Sequence, residues 1–296
     1  MSRIIASIVC VLTICTCGVV VMANTQLVFT SYDGPKHEAI YRMLSDGTVH
    51  KITNHALSCY MPSLSADGSK VAFAGEVAAP AKKGDKTQIF LCNIDGSGEK
   101  QLTTTGSNYS PAFSPDGKLI IYHSWRGTHS RLFTIVVDGG VEQQLPDTTN
   151  DGAKGQFSPD GKKILFATDV VGIPHQVYSV DLDGTHLQRL SPQAGSGTDP
   201  CYSPDGVHIA FIQNEQIWLM NADGSAAKQL TTGDKSASHP CFSPTGPHII
   251  YQYGATHASR IYEVQLDGSK QHDIYPNGPD GWFPCWGFAP HQSLDR

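Results

Sequence analysis

Lys154, Asp199 and His239 are the residues of this 296-residue chain that together could move a proton. An imidazole gives or takes a proton near neutral pH, a carboxylate orients it, and an ammonium steadies developing negative charge. Thirteen histidines and eight cysteines also raise metal and thiol chemistry. His37, His129, His175 and His257 each follow a glycine by two or three positions, and Cys201, Cys241 and Cys285 each follow a proline. Familiar catalytic signatures are missing: there is no Gly-x-Ser-x-Gly elbow, no His-Glu-x-x-His, no phosphate-binding Gly-Lys-Ser or Gly-Lys-Thr, and no Gly-x-Gly-x-x-Gly. Asp181-Leu182-Asp183-Gly184 opens like a calcium loop, but Pro192 stands at the twelfth position where that loop needs glutamate. Which of these groups can meet depends on the elements that carry them.

Those elements repeat. An aliphatic residue, a bulky one, and then Asp-Gly six positions after the first recur at Ile40 to Asp46, Ile89 to Asp95, Leu132 to Asp138, Val177 to Asp183, Ile217 to Asp223 and Ile261 to Asp267. Successive Asp-Gly turns lie 49, 43, 45, 40 and 44 residues apart. Ahead of five of them stands a second turn, at Ser65–Gly68, Ser114–Gly117, Ser158–Gly161, Ser203–Gly206 and Ser243–Gly246, followed each time by an apolar strand. Serine first, proline second and glycine fourth suit a type I turn, which joins strands A and B. The later Asp-Gly reads as a tight hairpin between strands C and D, since both residues tolerate positive φ.

Four strands in about 45 residues make a propeller blade. The expected fold is all-β: a single six-bladed β-propeller of four-stranded antiparallel blades over residues 24–296. Residues 26–53 supply strands B, C and D without an A, while Phe283-Pro284-Cys285-Trp286-Gly287 matches strand A as in His239–Ser243. The N-terminal strands B-C-D and the C-terminal strand A should therefore complete one blade. A ring closed in this way has no long open edge, and a monomer is expected.

The Ser-Pro-Asp-Gly turn, the aliphatic-aromatic strand after it and the later Tyr-x-x-x-x-Asp-Gly resemble the WD-like repeat of TolB-type β-propellers, over nearly all of residues 24–296. The resemblance implies a protein-binding module, a gating domain of a peptidase, or a lyase acting on acidic oligosaccharides. TolB is periplasmic and its propeller contacts the peptidoglycan-associated lipoprotein, so the resemblance implies an envelope lipoprotein as partner. No counterpart of the α/β domain that precedes the TolB propeller is expected here.

The A–B and C–D turns vary little and should form a plain face, leaving the B–C and D–A loops, whose lengths differ, on the binding face. From the A–B Asp to the C–D Asp is 28 residues in the second blade, with Ala78–Asp85 inserted, and 18 in the fifth. Residues just before strand A should ring the channel mouth: Tyr60, Tyr109, Lys154, Asp199, His239 and Trp282, with Asp280 close behind. Trp125 and Arg126 form a second candidate, because exposed Trp beside Arg is typical of binding hot spots. No metal site is expected, since strand C starts lie in separate blades, too far apart for ligands that must sit about 2 Å from one ion. Cys201, Cys241 and Cys285 should run along the channel wall as small residues filling a tapered core, with Ser63, Ala112 and Gln156 in the same role. Facing sheets roughly 10 Å apart disfavour a disulfide among them, although blades converge toward the axis.

Composition limits the remainder. The chain is 40% hydrophobic and 16% charged, too apolar for disorder. A net charge of -6 gives no reason to expect nucleic acid or an anionic membrane surface as partner. Residues 1–23 carry Arg3 and then an uncharged apolar run ending in Val21-Met22-Ala23, which reads as a secretory signal cleaved after Ala23. An uncleaved anchor is the competing reading, because the run is long enough to cross a bilayer. Cleavage would give a periplasmic or secreted protein with no further membrane span and with five of its eight cysteines. The expected role is a protein, peptide or envelope-ligand binding module without a cofactor. The alternative is a propeller lyase or hydrolase working through His239, Asp199 and Lys154.

Overall fold

The computed structural model describes residues 25–34, 37–78, 85–146, 151–170, 173–192, 195–255, 258–278 and 280–288. Residues 1–23, expected to be a secretory signal, His257 and most of the Ala78–Asp85 insertion lie outside them. The strands form six sheets of four, each antiparallel throughout. This is the six-bladed propeller that the repeats imply. Its innermost strands, in chain order, are Cys59–Leu64, Ser107–Phe113, Asp151–Phe157, Thr198–Tyr202, Ala237–Phe242 and Trp282–Phe288. The last belongs to the blade that begins the chain, where it pairs with Thr25–Tyr32. That sheet is blade 1, and the others are blades 2 to 6 in chain order.

Strand B of each blade is covered on both faces, so it is a continuous apolar run rather than an alternating one: Val71, Ala72, Phe73 and Ala74 are all buried. The core lies between blades. Val28 and Ile40 of blade 1 pack with Val71 and Phe73 of blade 2, and Leu27 and Phe29 of blade 1 pack with Ile250 and Ile261 of blade 6. Trp286 of the closing strand joins the second cluster, which makes the seam between the chain's two ends as apolar as any other joint.

The two turns pack together on one face, and a backbone bond links them in each of blades 2 to 6, as from Ile94 N–H to the Ser69 carbonyl and from Ala222 N–H to the Val207 carbonyl. In the A–B turns Gly68 N–H donates to the Ser65 carbonyl, while Ser65 Oγ donates to Asp67 at 2.6 Å and accepts from Lys70 N–H at 2.9 Å. The C–D turns differ from the sequence expectation in one respect. Gly47 has φ +82° and its N–H bonds the Leu44 carbonyl, but Asp46 is absent from the left-handed residues. Of the Asp-Gly pair only the glycine takes positive φ, and the aspartate acts through its carboxylate, which in the first blade accepts the Thr48 N–H at 2.8 Å.

Candidate functional site

Every innermost strand carries one extra residue relative to its neighbour. From Tyr60 to Ser63 the partner moves only from Ala74 to Ala72, and the same three-against-two shift occurs at Tyr109/Ala112, Ala153/Gln156, Thr198/Cys201, Ser238/Cys241 and Trp282/Cys285. Each shift is a β-bulge. In five blades it contains the proline of strand A, whose missing N–H is harmless where the ladder is already interrupted.

The residue before that proline, or before Gly155 in blade 4, is left-handed in all six blades: Met61 (φ 57°), Ser110 (50°), Lys154 (48°), Asp199 (48°), His239 (53°) and Phe283 (51°). None is glycine, and each such conformation costs on the order of 1 kcal/mol. A bulge re-aims the side chain that it carries. Here the re-aimed side chains meet around the axis. Ser110 Oγ lies 3.3 Å from Met61 Sδ, Lys154 Nζ lies 3.5 Å from Asp199 Oδ2, His239 Nδ1 lies 3.4 Å from the same oxygen, and the His239 and Phe283 rings meet edge to face at 4.4 Å. All but Asp199 line a central cavity of about 120 Å³ that the innermost strands of all six blades enclose.

This ring matches half of the residues expected at the channel mouth. Lys154, Asp199 and His239 are in it. Tyr60, Tyr109 and Trp282 sit one position too early, and Met61, Ser110 and Phe283 take their places. Trp282 is fully buried, with its ring against Tyr32 at 4.9 Å. Tyr60 turns aside to bond Thr87 Oγ1 at 2.9 Å, and that hydroxyl reaches Tyr109 Oη at 3.4 Å, joining blades 2 and 3. Asp280 is 3.8 Å from Arg260, whose guanidinium also holds Asp273 and the Gly278 carbonyl, so it anchors a loop. Trp125 is 45% exposed at the B–C end of its strand. Beside it Arg126 is fixed in place, bonded to Glu142 and Ser124 and stacked 3.9 Å over the Phe133 ring. The one signal that would have found Met61, Ser110 and Phe283 is their shared position directly before Pro62, Pro111 and Pro284.

Burial raises the Asp199 carboxyl, but Lys154 and His239 outweigh it and hold the pKa at about 2. His239 is pushed down to about 4 by burial, with Asp199 opposing and Lys154 assisting. His123, stacked on Tyr109 at 5.4 Å, is also lowered to about 4 by burial. At neutral pH the ring therefore holds one ion pair and a neutral imidazole. Cys201, Cys241 and Cys285 line the cavity one layer deeper, with Ser63, Ala112 and Gln156 at the same position in the other blades. Among the described residues no group of three or more His, Cys, Asp or Glu side chains is placed to hold a metal ion. His37, one of the four strand C histidines, bonds the Leu57 carbonyl at 3.0 Å.

Comparison with known proteins agrees with this architecture. The chain is 39% identical to dipeptidyl-peptidase 5 of Porphyromonas gingivalis over 111 residues, which are 36% of this chain and 16% of that protein. It is 29% identical to the protein TolB homolog of Chlorobium chlorochromatii over 146 residues, 49% of this chain and 31% of the relative. The chain thus spans under a third of the length of either relative. TolB from Acinetobacter baumannii superimposes with a TM-score of 0.74 at 18% identity, covering 92% of this chain and 68% of that one, which shows a shared fold. A model of the TolB beta propeller domain matches residues 19–155 and 147–289, nearly the whole ring. With six blades, a shared closing strand and that match in hand, the chain belongs to the TolB β-propeller family.

Proposed function

We propose that this protein is an exported module of the cell envelope that binds a protein or peptide at its loop-rich face and channel mouth. The observation that carries the reading is the ring of six bulge residues. Six non-glycine residues are held left-handed at one level, a recurring cost with no evident use in folding, and strain of this kind collects where side chains must be presented. The ring offers a thioether, a hydroxyl, an ion pair, an imidazole and an aromatic ring, a mixture suited to the side chains of a peptide segment. The cavity of about 120 Å³ beneath it is smaller than the roughly 300–1,000 Å³ of typical small-molecule sites. A tip inserted from a larger partner fits that geometry better than an oligosaccharide. Trp125, exposed beside the immobilised Arg126, supplies a second anchor on the same face. The alternative, a lyase or hydrolase, draws on the Asp199–His239 contact. An imidazole with a pKa near 4 is far from the operating pH at which a general base works best.

The test is capture from an envelope fraction by immobilised protein. His239→Ala and Phe283→Ala should lose a partner that the wild type and Lys118→Ala retain, Lys118 being an exposed residue of the plain face. A partner retained equally by all four removes the channel mouth as the binding site. The N-terminal mass of the protein recovered from its own cells tests cleavage after Ala23.

A further inference from the structure

Cys241 and Cys285 hold equivalent positions in the innermost strands of blades 6 and 1, on either side of the seam where the chain's two ends close the ring. Both face the central cavity, two residues below His239 and Phe283. Cys241 Sγ reaches across that joint, 4.0 Å from the carbonyl oxygen of Trp286. The backbone N–H of Trp286, the residue after Cys285, donates to Cys241 Sγ at 3.1 Å.

The equivalent amide serves a second joint. In blade 4 the equivalent Gln156 accepts the Tyr202 N–H of the next blade at 2.8 Å through its side-chain carbonyl. Two of the joints thus offer an amide donor to the acceptor at this position, and in blade 6 the acceptor is sulfur. A neutral thiol is a poor acceptor, so an N–H this close favours the thiolate. The neighbouring Cys285 thiol, the Trp286 amide and the Lys154 charge together hold Cys241 below the usual thiol range against the effect of burial, and the same pairing pushes Cys285 up. Cys201, Cys59 and Cys92 are buried and raised. Among the described cysteines, Cys241 is the one that combines an amide donor on its sulfur with a thiol at the same level of the next blade and a place on the cavity wall.

We propose that Cys241 is a peroxide-reactive cysteine and Cys285 its resolving partner, and that oxidation forms a disulfide tying the closing strand to blade 6. The Cys241 thiolate attacks one oxygen of hydrogen peroxide: an S–O bond forms, the O–O bond breaks, and the hydroxide released takes a proton to become water. Cys285, giving up its proton, then attacks Cys241 Sγ; the S–S bond forms, the S–O bond breaks, and a second water leaves. Two thiols and one peroxide become one disulfide and two waters. A cavity of about 120 Å³ beside Cys241 leaves room for hydrogen peroxide.

The experiment treats the reduced, purified protein with hydrogen peroxide, alkylates the remaining thiols, and reads intact mass and peptide maps. The wild type should lose two alkylatable thiols as one Cys241–Cys285 crosslink, and its Tm should rise by roughly 5–10 °C, as a covalent loop of this length predicts. Cys285→Ser should stop at a sulfenic acid on Cys241 that dimedone labels, and Cys241→Ser should leave Cys285 reduced. An unchanged thiol count, a crosslink between Cys59 and Cys92, or dimedone label on another cysteine in Cys285→Ser overturns the proposal. The wild-type map decides even if a variant fails to fold.

Discussion

His239 Nδ1 lies 3.4 Å from Asp199 Oδ2, and Lys154 Nζ reaches that same oxygen from the other side at 3.5 Å. Three consecutive blades thus meet on one carboxylate oxygen. Because each residue sits in a bulge, the contact depends on backbone geometry that the ring as a whole maintains.

Stability should fall on mild acidification. His239 and His123 take up a proton at about pH 4 when folded and near 6.5 when unfolded, so the unfolded chain binds it first. Their contribution is complete above pH 6.5 and is lost as pH falls toward 4, up to about 3 kcal/mol for each histidine. Asp199, lowered from 3.8 to about 2, adds stability that is complete above pH 3.8 and lost toward pH 2. Urea midpoints at pH 7, 5 and 4 should decline, and His239→Gln should decline less. A flat wild-type profile contradicts this.

Lys154→Met removes the charge that lowers both neighbours. Titration by NMR should show the His239 pKa rising above 4 and the Asp199 pKa above 2. The variant should lose about 1–3 kcal/mol, since the pair is only partly exposed. Unmoved titrations would mean that the ammonium does not act on this carboxylate.

Neighbouring aromatics in the closing strand should behave oppositely. Trp282 is fully buried, and Trp282→Ala should cost about 3–5 kcal/mol. Phe283 lines the cavity, so Phe283→Ala should cost about 2 kcal/mol or less while altering partner capture. Equal losses in thermal or urea unfolding would argue that Phe283 packs as core.

Two turn glycines share nearly the same φ and differ in surroundings. At Gly47 (φ +82°) a Cβ would meet open space, and Gly47→Ala should cost about 1 kcal/mol for the backbone alone. At Gly96 (φ +84°) a Cβ would fall 2.2 Å from the Ile52 carbonyl oxygen, so Gly96→Ala should cost more than about 2 kcal/mol. Denaturation midpoints of the two variants measure the difference directly.

The propeller, its six-fold count and its closing strand are legible in the sequence because each rests on local chemistry repeated many times. Ser-Pro-Asp-Gly must turn wherever it stands, Asp-Gly must turn again, and the apolar runs between them must be covered by neighbours. The missing A strand before residue 26 and its match at Phe283–Gly287 made the join of the two ends readable without coordinates.

The site was half legible. Lys154, Asp199 and His239 stand out by charge, but counting back from strand A chose Tyr60, Tyr109 and Trp282 where the channel receives Met61, Ser110 and Phe283. A strand alternates faces residue by residue, so one inserted residue reverses which side chain points inward, and the six bulges exist only because strand A is paired to strand B. The meeting of Cys241 with Cys285 has the same origin. The sequence alone determines what each blade is, through local turn chemistry and burial. Convergence at the axis, which places residues forty or more positions apart within bonding distance, is decided by the closure of the ring.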